Sequence, residues 1–484
     1  MMLGELSLKW HVSSYNSFST GCQDGFTLEQ NALVTGLGDI VGRENVVVGA
    51  KACEDYSRDM AEYGGIPSAA VIPNTEDEVA KIVAFAAEKL IPVLARGGGS
   101  SLTGAAVLNG GIIIDMRKMN KVIHVDTLNW HVRVQPGITL EELNIELGKQ
   151  GFFFPPDPAS SYVCTVGGAI AEGSGGLRCV KYGTMKDWVL ALRVVLPNGK
   201  VTSLGEPLPK NRAGYDLVHL IVGSEGTLGI VTEAYLKIIP LPLSPPRRIL
   251  ATFDDWGPVG DVIAALRAAR VIPGLFEFID KDHIRAINER LDQHLDEAEA
   301  TLIIDVDDAE LPTATDVLKD HGAKTLKIAK DQEEAQALYE VRANAYLAVK
   351  SLAPSAQVED VSIPLDKLGD YLRKVKDVAS KHHLLIPVVG HAGDGNVHPV
   401  ILYDGNDKVS AASAAEAYEE ICRYAIGAGG SVSGEHGIGI QKAKLLREQL
   451  QSHDGAESLR LMKEIKRLLD PKGIMNPGKY VDAA

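Results

Sequence analysis

Three glycine-rich loops in the first half of the chain restrict what it can fold into. The first, residues 96–104, reads Arg-Gly-Gly-Gly-Ser-Ser-Leu-Thr-Gly and lies between two strand-like runs, residues 92–96 and 110–115. Three consecutive glycines carry no side chains, so successive backbone N–H groups can approach an anion such as a pyrophosphate. The loop does not open a helix with G-x-G-x-x-G spacing, which argues against a Rossmann arrangement. By itself, such a run is equally typical of a flexible turn.

Two further glycine-rich segments make the pattern more specific. Residues 155–176 run from a proline-rich turn through Gly167 and Gly168 to Gly-Ser-Gly-Gly. Residues 223–230 read Gly-Ser-Glu-Gly-Thr-Leu-Gly-Ile and lie between apolar runs. Three such loops predict a large, flat, polar ligand that contacts much backbone. A dinucleotide fits this prediction better than a mononucleotide does.

A second constellation of polar residues lies nearer the C-terminus. His391 and His398 bracket the run His-Ala-Gly-Asp-Gly-Asn-Val-His, which is flanked by strand-like sequences. A two-residue Asp-Gly turn predicts that the histidines lie directly opposite each other, with Cβ atoms about 4.5–5.5 Å apart. Two imidazoles so placed can bind one divalent metal ion, and Glu435 in residues 433–437 offers a third ligand. The alternative is a polar hairpin whose histidines form local hydrogen bonds; the Glu-His cluster favours the metal site.

Length and composition exclude several classes of protein. The chain has 484 residues, enough for two or three domains, and its 45% hydrophobic and 23% charged residues are typical of globular proteins. A net charge of −15 without a basic stripe argues against a nucleic-acid partner. Five scattered cysteines argue against an iron–sulfur cluster bound by this chain and indicate a reducing compartment. We find neither a transmembrane run nor a signal pattern, and therefore expect a cytoplasmic protein.

Hydrophobic periodicity and helix-capping residues divide the chain. A helical lead-in starts near Thr27, and from residue 67 short strands alternate with helices, the first of which reaches Lys89. Clustered prolines in residues 239–246 stop both helix and sheet and predict a domain boundary. Beyond them, strands separated by single helices predict an antiparallel sheet with helices on one face. An amphipathic helix over residues 459–469 and a compact loop end the chain.

These motifs together resemble a known family, the flavin-linked 2-hydroxy-acid dehydrogenases of the vanillyl-alcohol-oxidase type, with glycolate oxidase flavin subunits and D-lactate dehydrogenases the most similar members. The resemblance extends from about residue 50 to residue 479 and rests on the glycine-rich loops, the histidine hairpin and residues 433–439. It implies an α+β fold with a two-subdomain PCMH-type FAD-binding domain, a cap domain with an antiparallel, ferredoxin-like sheet, and a C-terminal helical segment that returns to the FAD-binding domain. The expected ranges are 1–60 for the lead-in, 61–243 for the FAD-binding domain, 244–440 for the cap domain with the substrate and metal site, and 441–484 for the C-terminal segment.

The resemblance also implies catalytic roles. His391, His398 and Glu435 correspond to metal ligands, a set that suits zinc, with manganese or iron as alternatives. His436 corresponds to the general base and Arg342 to the clamp for the substrate carboxylate. On the bare sequence, Arg342 would instead be read as a solvated arginine on a helix face.

FAD is the implied organic cofactor. Relatives with covalently attached flavin carry a histidine where this chain has Ser100, so we expect FAD to be bound non-covalently. The residues implied in FAD binding are Arg96, Gly97, Gly98, Gly99, Ser100, Ser101, Gly104, Pro156, Asp157, Thr165, Gly168, Gly175, Gly176, Gly226, Ile230 and Asn476.

The expected reaction is oxidation of D-lactate or glycolate to the 2-oxo acid, with hydride transfer to N5 of the flavin. The 2-hydroxyglutarate enzymes of the family bind the distal carboxylate with a lysine and an asparagine, where this chain has Val358 and Val400. D-2-hydroxyglutarate is therefore the less favoured substrate. Two rival functions also fit the motifs: an oxidase that delivers electrons to oxygen, and a flavin-binding electron-transfer subunit that oxidises no substrate itself.

Electrons have to leave the flavin through a partner, because the chain shows neither a Rossmann fingerprint nor cysteines for a cluster. Relatives work beside an iron–sulfur subunit or an electron-transferring flavoprotein, and a quinone is the third acceptor that we expect. Such a partner could hold the cytoplasmic protein at the inner membrane. A homodimer is a further expectation.

Overall fold

The structure is a computed structural model that describes residues 28–61, 63–291, 294–453 and 455–482. The predicted absence of a signal pattern falls on residues that lie outside these ranges. The strands are β1 (Val46–Val47), β2 (Ala69–Val71), β3 (Val93–Arg96), β4 (Ile112–Asp115), β5 (Val122–Asp126), β6 (His131–Val134), β7 (Phe152–Phe153), β8 (Val189–Val195), β9 (Val201–Gly205), β10 (Ile230–Lys237), β11 (Ile239–Pro240), β12 (Arg247–Phe253), β13 (Leu275–Asp280), β14 (Ala300–Val306), β15 (Thr325–Ile328), β16 (Ser355–Val358), β17 (Val361–Ser362), β18 (Val388–His391) and β19 (Asn396–Tyr403). The helices are α1 (Leu28–Val41), α2 (Ala50–Tyr56), α3 (Glu76–Lys89), α4 (Leu140–Gly148), α5 (Val166–Glu172), α6 (Cys179–Tyr182), α7 (Val218–Ile221), α8 (Pro258–Ala268), α9 (Lys281–Leu291), α10 (Leu311–Asp320), α11 (Gln332–Ala343), α12 (Ala345–Lys350), α13 (Leu368–His382), α14 (Lys408–Gly427), α15 (Ala443–Ser452) and α16 (Ala456–Leu469).

A small sheet forms the first part of the N-terminal domain, which runs from α1 to β11. Its strand order is β1-β2-β4-β3, with β2, β4 and β3 parallel and β1 antiparallel at the edge. Helix α3 begins after Thr75, whose side chain accepts a hydrogen bond from the Glu78 N–H while the Glu78 side chain bonds back to Thr75. The apolar face of α3 packs in the core of this sheet. The lead-in, which we expected to be helical, also supplies β1.

A second sheet completes the N-terminal domain and receives the end of the chain. It is antiparallel with strand order β5-β6-β10-β8-β9. Ile465 and Leu469 of α16 pack against its core. After α16, the Ile474 carbonyl accepts a hydrogen bond from the Val93 N–H and the Asn476 N–H donates to the Val93 carbonyl, both at 2.8 Å. The predicted return of the C-terminal segment to this domain is therefore confirmed, although it begins only at α16, because α15 packs in the cap core.

The cap domain is built on one large antiparallel sheet, as predicted. Its order is β15-β12-β14-β13-β18-β19-β16, with β17 also paired to β19. The first four strands, taken in chain order, have the 4-1-3-2 arrangement of a ferredoxin-like sheet. The prediction of helices on one face was wrong: α8, α10, α13 and α14 cover one face, and α9, α11 and α12 cover the other. All residues of β14 are buried, as expected for a strand that is covered on both faces.

The proline-rich segment between the domains is partly paired. Ile239 and Pro240 pair with Phe153 and Phe152 as β11 and β7, whereas residues 241–246 are exposed. The prolines therefore interrupt regular structure only after a short strand that fastens the linker to the N-terminal domain. Among the helices of the described residues, none combines the length and hydropathy needed to cross a bilayer.

Candidate active site

The histidine hairpin forms with a register that differs from the predicted one. His391 lies opposite Asn396 rather than opposite His398, so the turn spans residues 392–395. A two-residue turn would require positive φ at Asp394, which this residue does not adopt. Because the register differs by two residues, both histidines still project from the same face of the sheet. Their ring centroids are 5.2 Å apart.

The three predicted metal ligands converge. Nε2 of His391 and Nε2 of His398 lie 3.2 Å and 3.4 Å from Oε1 of Glu435. Both histidines are buried, and Oε2 of Glu435 is buried without a hydrogen-bond partner among the described residues. Burial would raise the pKa of Glu435, but His391 beside it holds this pKa well below its usual range. Two imidazoles and one ionised carboxylate around a single point fit a divalent metal ion.

Glu277 connects the metal-ligand cluster to the predicted substrate clamp. Both carboxylate oxygens of Glu277 lie within hydrogen-bond distance of His391 Nδ1, at 2.8 Å and 2.9 Å. Arg342 donates through Nε to the same carboxylate at 2.5 Å. Burial would lower the pKa of His391, but Glu277 and Glu435 raise it well above its usual value. Arg342 is 5% exposed, so it is not a solvated arginine on a helix face.

The predicted base lies next to these ligands. The His436 ring stacks on His398 with centroids 4.9 Å apart and an interplanar angle of 13°. Its Nε2 is 3.8 Å from Oε1 of Glu435. Burial lowers the pKa of His436 to about 4 and outweighs the opposite effect of Asp360. The imidazole is therefore neutral near pH 7 and able to accept a proton.

The loop that carries Glu435 and His436 is fastened to the cap domain by Asp360. One carboxylate oxygen of Asp360 accepts hydrogen bonds from the Ser433 hydroxyl at 2.8 Å and from the His436 N–H at 2.9 Å. Lys442, itself fully buried, approaches this oxygen to 3.5 Å. Burial would raise the pKa of Asp360, but Lys442 and the nearby histidines hold it well below its usual range. The loop backbone is thus held by a buried charge.

A second carboxylate fastens the same loop to the N-terminal domain. The Glu225 side chain accepts hydrogen bonds from the N–H groups of Ile438 at 2.6 Å and Gly439 at 2.9 Å. The Asn476 amide donates to the Glu225 carbonyl at 2.8 Å, so the C-terminal segment supports this arrangement. Burial raises the pKa of Glu225 to about 7. Residues 433–439 therefore bridge the two domains.

One cleft between the domains is lined by the three metal-ligand candidates and by His436, Arg342 and Glu225. The cleft has an empty space of about 1840 Å³, including the part that opens to solvent, and all three glycine-rich loops line it. Ten predicted FAD contacts are in the lining: Arg96, Gly97, Gly98, Gly99, Ser100, Ser101, Thr165, Gly168, Gly226 and Ile230. The remaining predicted contacts lie outside it: Gly104, Pro156, Asp157, Gly175, Gly176 and Asn476.

Two glycines of the first glycine-rich loop pack too closely against neighbouring residues to carry a side chain. A Cβ on Gly97 would overlap the Thr165 hydroxyl, and a Cβ on Gly98 would overlap the Val163 carbonyl oxygen. Arg96 donates to two backbone carbonyls, at 2.5 Å and 2.6 Å, so its guanidinium braces the chain around the loop. The glycines thus let two backbone segments meet, and they leave the wall of the cleft rich in main-chain atoms.

Sequence reasoning did not find Glu277, Asp360 or Glu225. Their partners lie far away in the chain: 114 residues separate Glu277 from His391, and 76 separate Asp360 from His436. One local signal was available for Glu277, because it is a charged residue among the apolar residues of β13, residues 275–279. Such a residue is rarely buried without a specific partner.

Comparison with protein families and curated proteins identifies relatives along most of the chain. The model described as FAD binding domain matches residues 67–205, and the model described as FAD linked oxidases, C-terminal domain, matches residues 245–480. Glycolate oxidase subunit GlcD of Bacillus subtilis is 36% identical over 433 residues, which cover 88% of this chain and 91% of the relative. The mitochondrial D-lactate dehydrogenase (cytochrome) of Arabidopsis thaliana is 35% identical and covers 86% of this chain and 74% of the relative.

Solved structures agree on the fold. 4-Ethylphenol oxidase from Gulosibacter chungangensis superposes with a TM-score of 0.77 at 20% identity, covering 94% of this chain and 98% of that one. p-Cresol methylhydroxylase superposes with the same TM-score at 20% identity, covering 95% and 98%. The PCMH-type architecture predicted from the sequence is therefore confirmed. The family matches and the relatives along most of the chain show that this chain belongs to the FAD-linked oxidase family that contains glycolate oxidase subunits and D-lactate dehydrogenases. It is an FAD-linked oxidoreductase.

Proposed function

We propose that this chain oxidises a small D-2-hydroxy acid, D-lactate or glycolate, to the 2-oxo acid. One observation carries the proposal: a cationic clamp, a neutral imidazole and a set of metal-type donors surround the same cleft that the glycine-rich loops line. That combination suits an α-hydroxy carboxylate, which has a carboxylate to bind and a hydroxyl proton to remove. The relatives named glycolate oxidase subunit and D-lactate dehydrogenase support this substrate class.

The side chains divide the work of the reaction. Arg342 binds the substrate carboxylate through the part of its guanidinium that Glu277 does not occupy. His436 takes the hydroxyl proton at Nε2, the nitrogen that faces Glu435. FAD held by the glycine-rich loops would supply the hydride acceptor, and a divalent cation held by His391, His398 and Glu435 would make the hydroxyl proton more acidic.

Zinc is the cation that we propose, with manganese and iron as alternatives. His391, His398 and Glu435 would hold it, because their ligand atoms all lie within 4.8 Å of one another. Their two nitrogens and one oxygen suit each of these metals. A chelator should therefore abolish substrate oxidation while FAD stays bound, and zinc should restore it.

Two valines favour a small or apolar substrate. Val358 and Val400 lie directly opposite each other in β16 and β19, and both line the cleft. Val400 projects from the same face of β19 as His398, two residues away. A second carboxylate would meet hydrocarbon there and lose its hydration without a partner. This disfavours D-2-hydroxyglutarate.

We further propose that FAD is held non-covalently, because Ser100 lines the cleft and occupies the position at which relatives with covalently attached flavin carry a histidine. Electrons then pass to an iron–sulfur subunit, an electron-transferring flavoprotein or a quinone. A cytoplasmic location, or a peripheral one at the inner membrane through such a partner, is part of the same proposal.

The test is anaerobic reduction of the purified, FAD-loaded protein by D-lactate, glycolate or D-2-hydroxyglutarate, followed through the visible flavin absorbance. We expect bleaching with D-lactate or glycolate and none with L-lactate. His436→Gln should slow bleaching strongly. His321→Gln is the matched control, because His321 lies at the end of α10 outside the cleft and should leave the rate unchanged.

Each contrary outcome has a distinct meaning. Bleaching by D-2-hydroxyglutarate alone would replace the proposed substrate. No bleaching with any of the acids, in protein that retains FAD, would favour an electron-transfer subunit without its own substrate.

A further inference from the structure

We infer that Glu277 is a positioning residue that sets the metal affinity of the site and the orientation of the substrate clamp together. The inference rests on the proposed function, because it assigns a role to the carboxylate behind a proposed metal ligand and behind the proposed clamp. Glu277 is fully buried in the middle of β13, between Phe276 and Phe278. Burying a carboxylate costs several kcal/mol unless charged and hydrogen-bonded partners compensate, so its partners define its role.

The first partner is His391. An ionised carboxylate can only accept hydrogen bonds, so the proton between the two groups belongs to Nδ1 of His391. That leaves Nε2, the nitrogen 3.2 Å from Glu435, as the atom that would release its proton to bind a cation. A carboxylate behind a metal-binding histidine fixes the tautomer and orientation of the ring and makes it a stronger ligand.

The second partner is Arg342. Its Nε donates to Oε2 of Glu277 at 2.5 Å, and this bond fixes the direction in which the planar guanidinium can face the cleft. One carboxylate therefore sets the positions of two groups that contact different ends of a 2-hydroxy acid: the ligand on the hydroxyl side and the clamp on the carboxylate side. A displacement of Glu277 changes both positions at once.

Glu277→Gln is the informative substitution because it keeps the shape and removes the charge. His391 Nδ1 and Arg342 Nε both donate, so an amide NH₂ group would face one of the two donors. Substitutions of a residue that hydrogen-bonds a metal ligand typically weaken metal binding about 10- to 100-fold. We expect the zinc Kd of E277Q to rise by that factor, measured without substrate by competition with a chromophoric chelator on FAD-loaded protein.

Asp305→Asn is the matched control. Asp305 lies in the neighbouring strand β14, is buried, and forms a two-point ion pair with Arg248 at 2.6 Å and 2.5 Å. The D305N variant loses a buried carboxylate–arginine pair outside the metal-ligand cluster, so its zinc Kd should stay within about twofold of the wild type. FAD content and circular dichroism should match for all three proteins. If E277Q loses FAD, E277D carries the same test, because it keeps the charge on a side chain too short to reach both partners.

A second readout separates positioning from general loss of structure. At saturating zinc, E277Q should still show a raised KM for the hydroxy acid, since Arg342 has lost its anchor. Wild-type zinc affinity and KM in E277Q would overturn the inference and leave the proposed function intact. A wild-type protein that binds no divalent metal would instead refute the proposed metal site, and the inference with it.

Discussion

Asp360→Asn tests how the loop with Glu435 and His436 is held in place. The substitution keeps the size of the side chain and removes its charge. One oxygen of Asp360 accepts from Ser433, Gly434 and His436, and the other accepts from Asn396 at 2.8 Å. The asparagine oxygen can replace only one of these two acceptors, so an amide group must face at least one former donor.

The expected cost follows from these contacts. Breaking a buried charged pair by changing one partner costs about 3–5 kcal/mol, because the remaining charge stays buried. Lys442 is that remaining charge, although Glu359 at 3.1 Å still neutralises part of it. We therefore expect the lower end, about 3 kcal/mol, which corresponds to about a hundredfold easier local opening since about 1.4 kcal/mol is a factor of ten.

Hydrogen exchange followed by mass spectrometry measures this opening directly. Amides in residues 433–436 should exchange about a hundredfold faster in D360N than in the wild type, and metal affinity should fall with them. Asp470→Asn is the matched control: Asp470 is also buried, pairs with a lysine (Lys466, 2.7 Å) and accepts backbone N–H groups, but from residues 474 and 475. Exchange at residues 433–436 that stayed within about threefold of the wild type in D360N would refute the anchoring role.

Further predictions concern the cofactor, the base and the acceptor. Acid precipitation should release all flavin as FAD, and flavin on the pellet would contradict the proposal that FAD is held non-covalently. His436→Ala should lower turnover about 10²- to 10⁴-fold in a stopped-flow assay, with substrate binding nearly unchanged. Burial lowers the pKa of His436, the proposed base, to about 4. In protein kept saturated with zinc, flavin reduction should therefore keep its rate as pH falls from 7 and decline only near pH 4; a decline near pH 6.5, the ordinary histidine value, would oppose this. Steady-state turnover should be rapid with a redox dye and negligible with NAD, and fast peroxide formation would favour an oxidase that uses oxygen.

Local sequence patterns were sufficient for most secondary structure. Helix α3 begins and ends where its capping residues and its apolar periodicity predict, because both signals lie within a few residues of the helix. The antiparallel cap sheet was also predictable, since helices or a short turn separate each strand from the next. The hairpin register was not, because it depends on the φ angle that Asp394 adopts within the turn.

Long-range polar contacts could not be predicted in the same way. The metal-ligand candidates were found because His391 and His398 lie seven residues apart and Glu435 stands beside a histidine in a glycine-rich loop. Glu277 and Asp360 have no such local context, and only the folded sheet brings them to their partners. The sequence likewise did not predict that β14 is buried on both faces, because a continuous apolar run does not show how many faces of a strand are covered.

The buried carboxylates explain how two domains can share one candidate active site. Asp360 fastens residues 433–436 to the cap domain, and Glu225 fastens residues 438–439 to the N-terminal domain. His436 lies between these two attachments, so its position follows from both domains rather than from either one. The proposed substrate clamp, Arg342, belongs to the cap, and the glycine-rich loops belong to the N-terminal domain. His436, the proposed base, keeps its distance to Arg342 and to the loops only while the domains remain docked. It follows that substitutions which loosen the docking should impair proton removal even where they leave every side chain in the cleft unchanged.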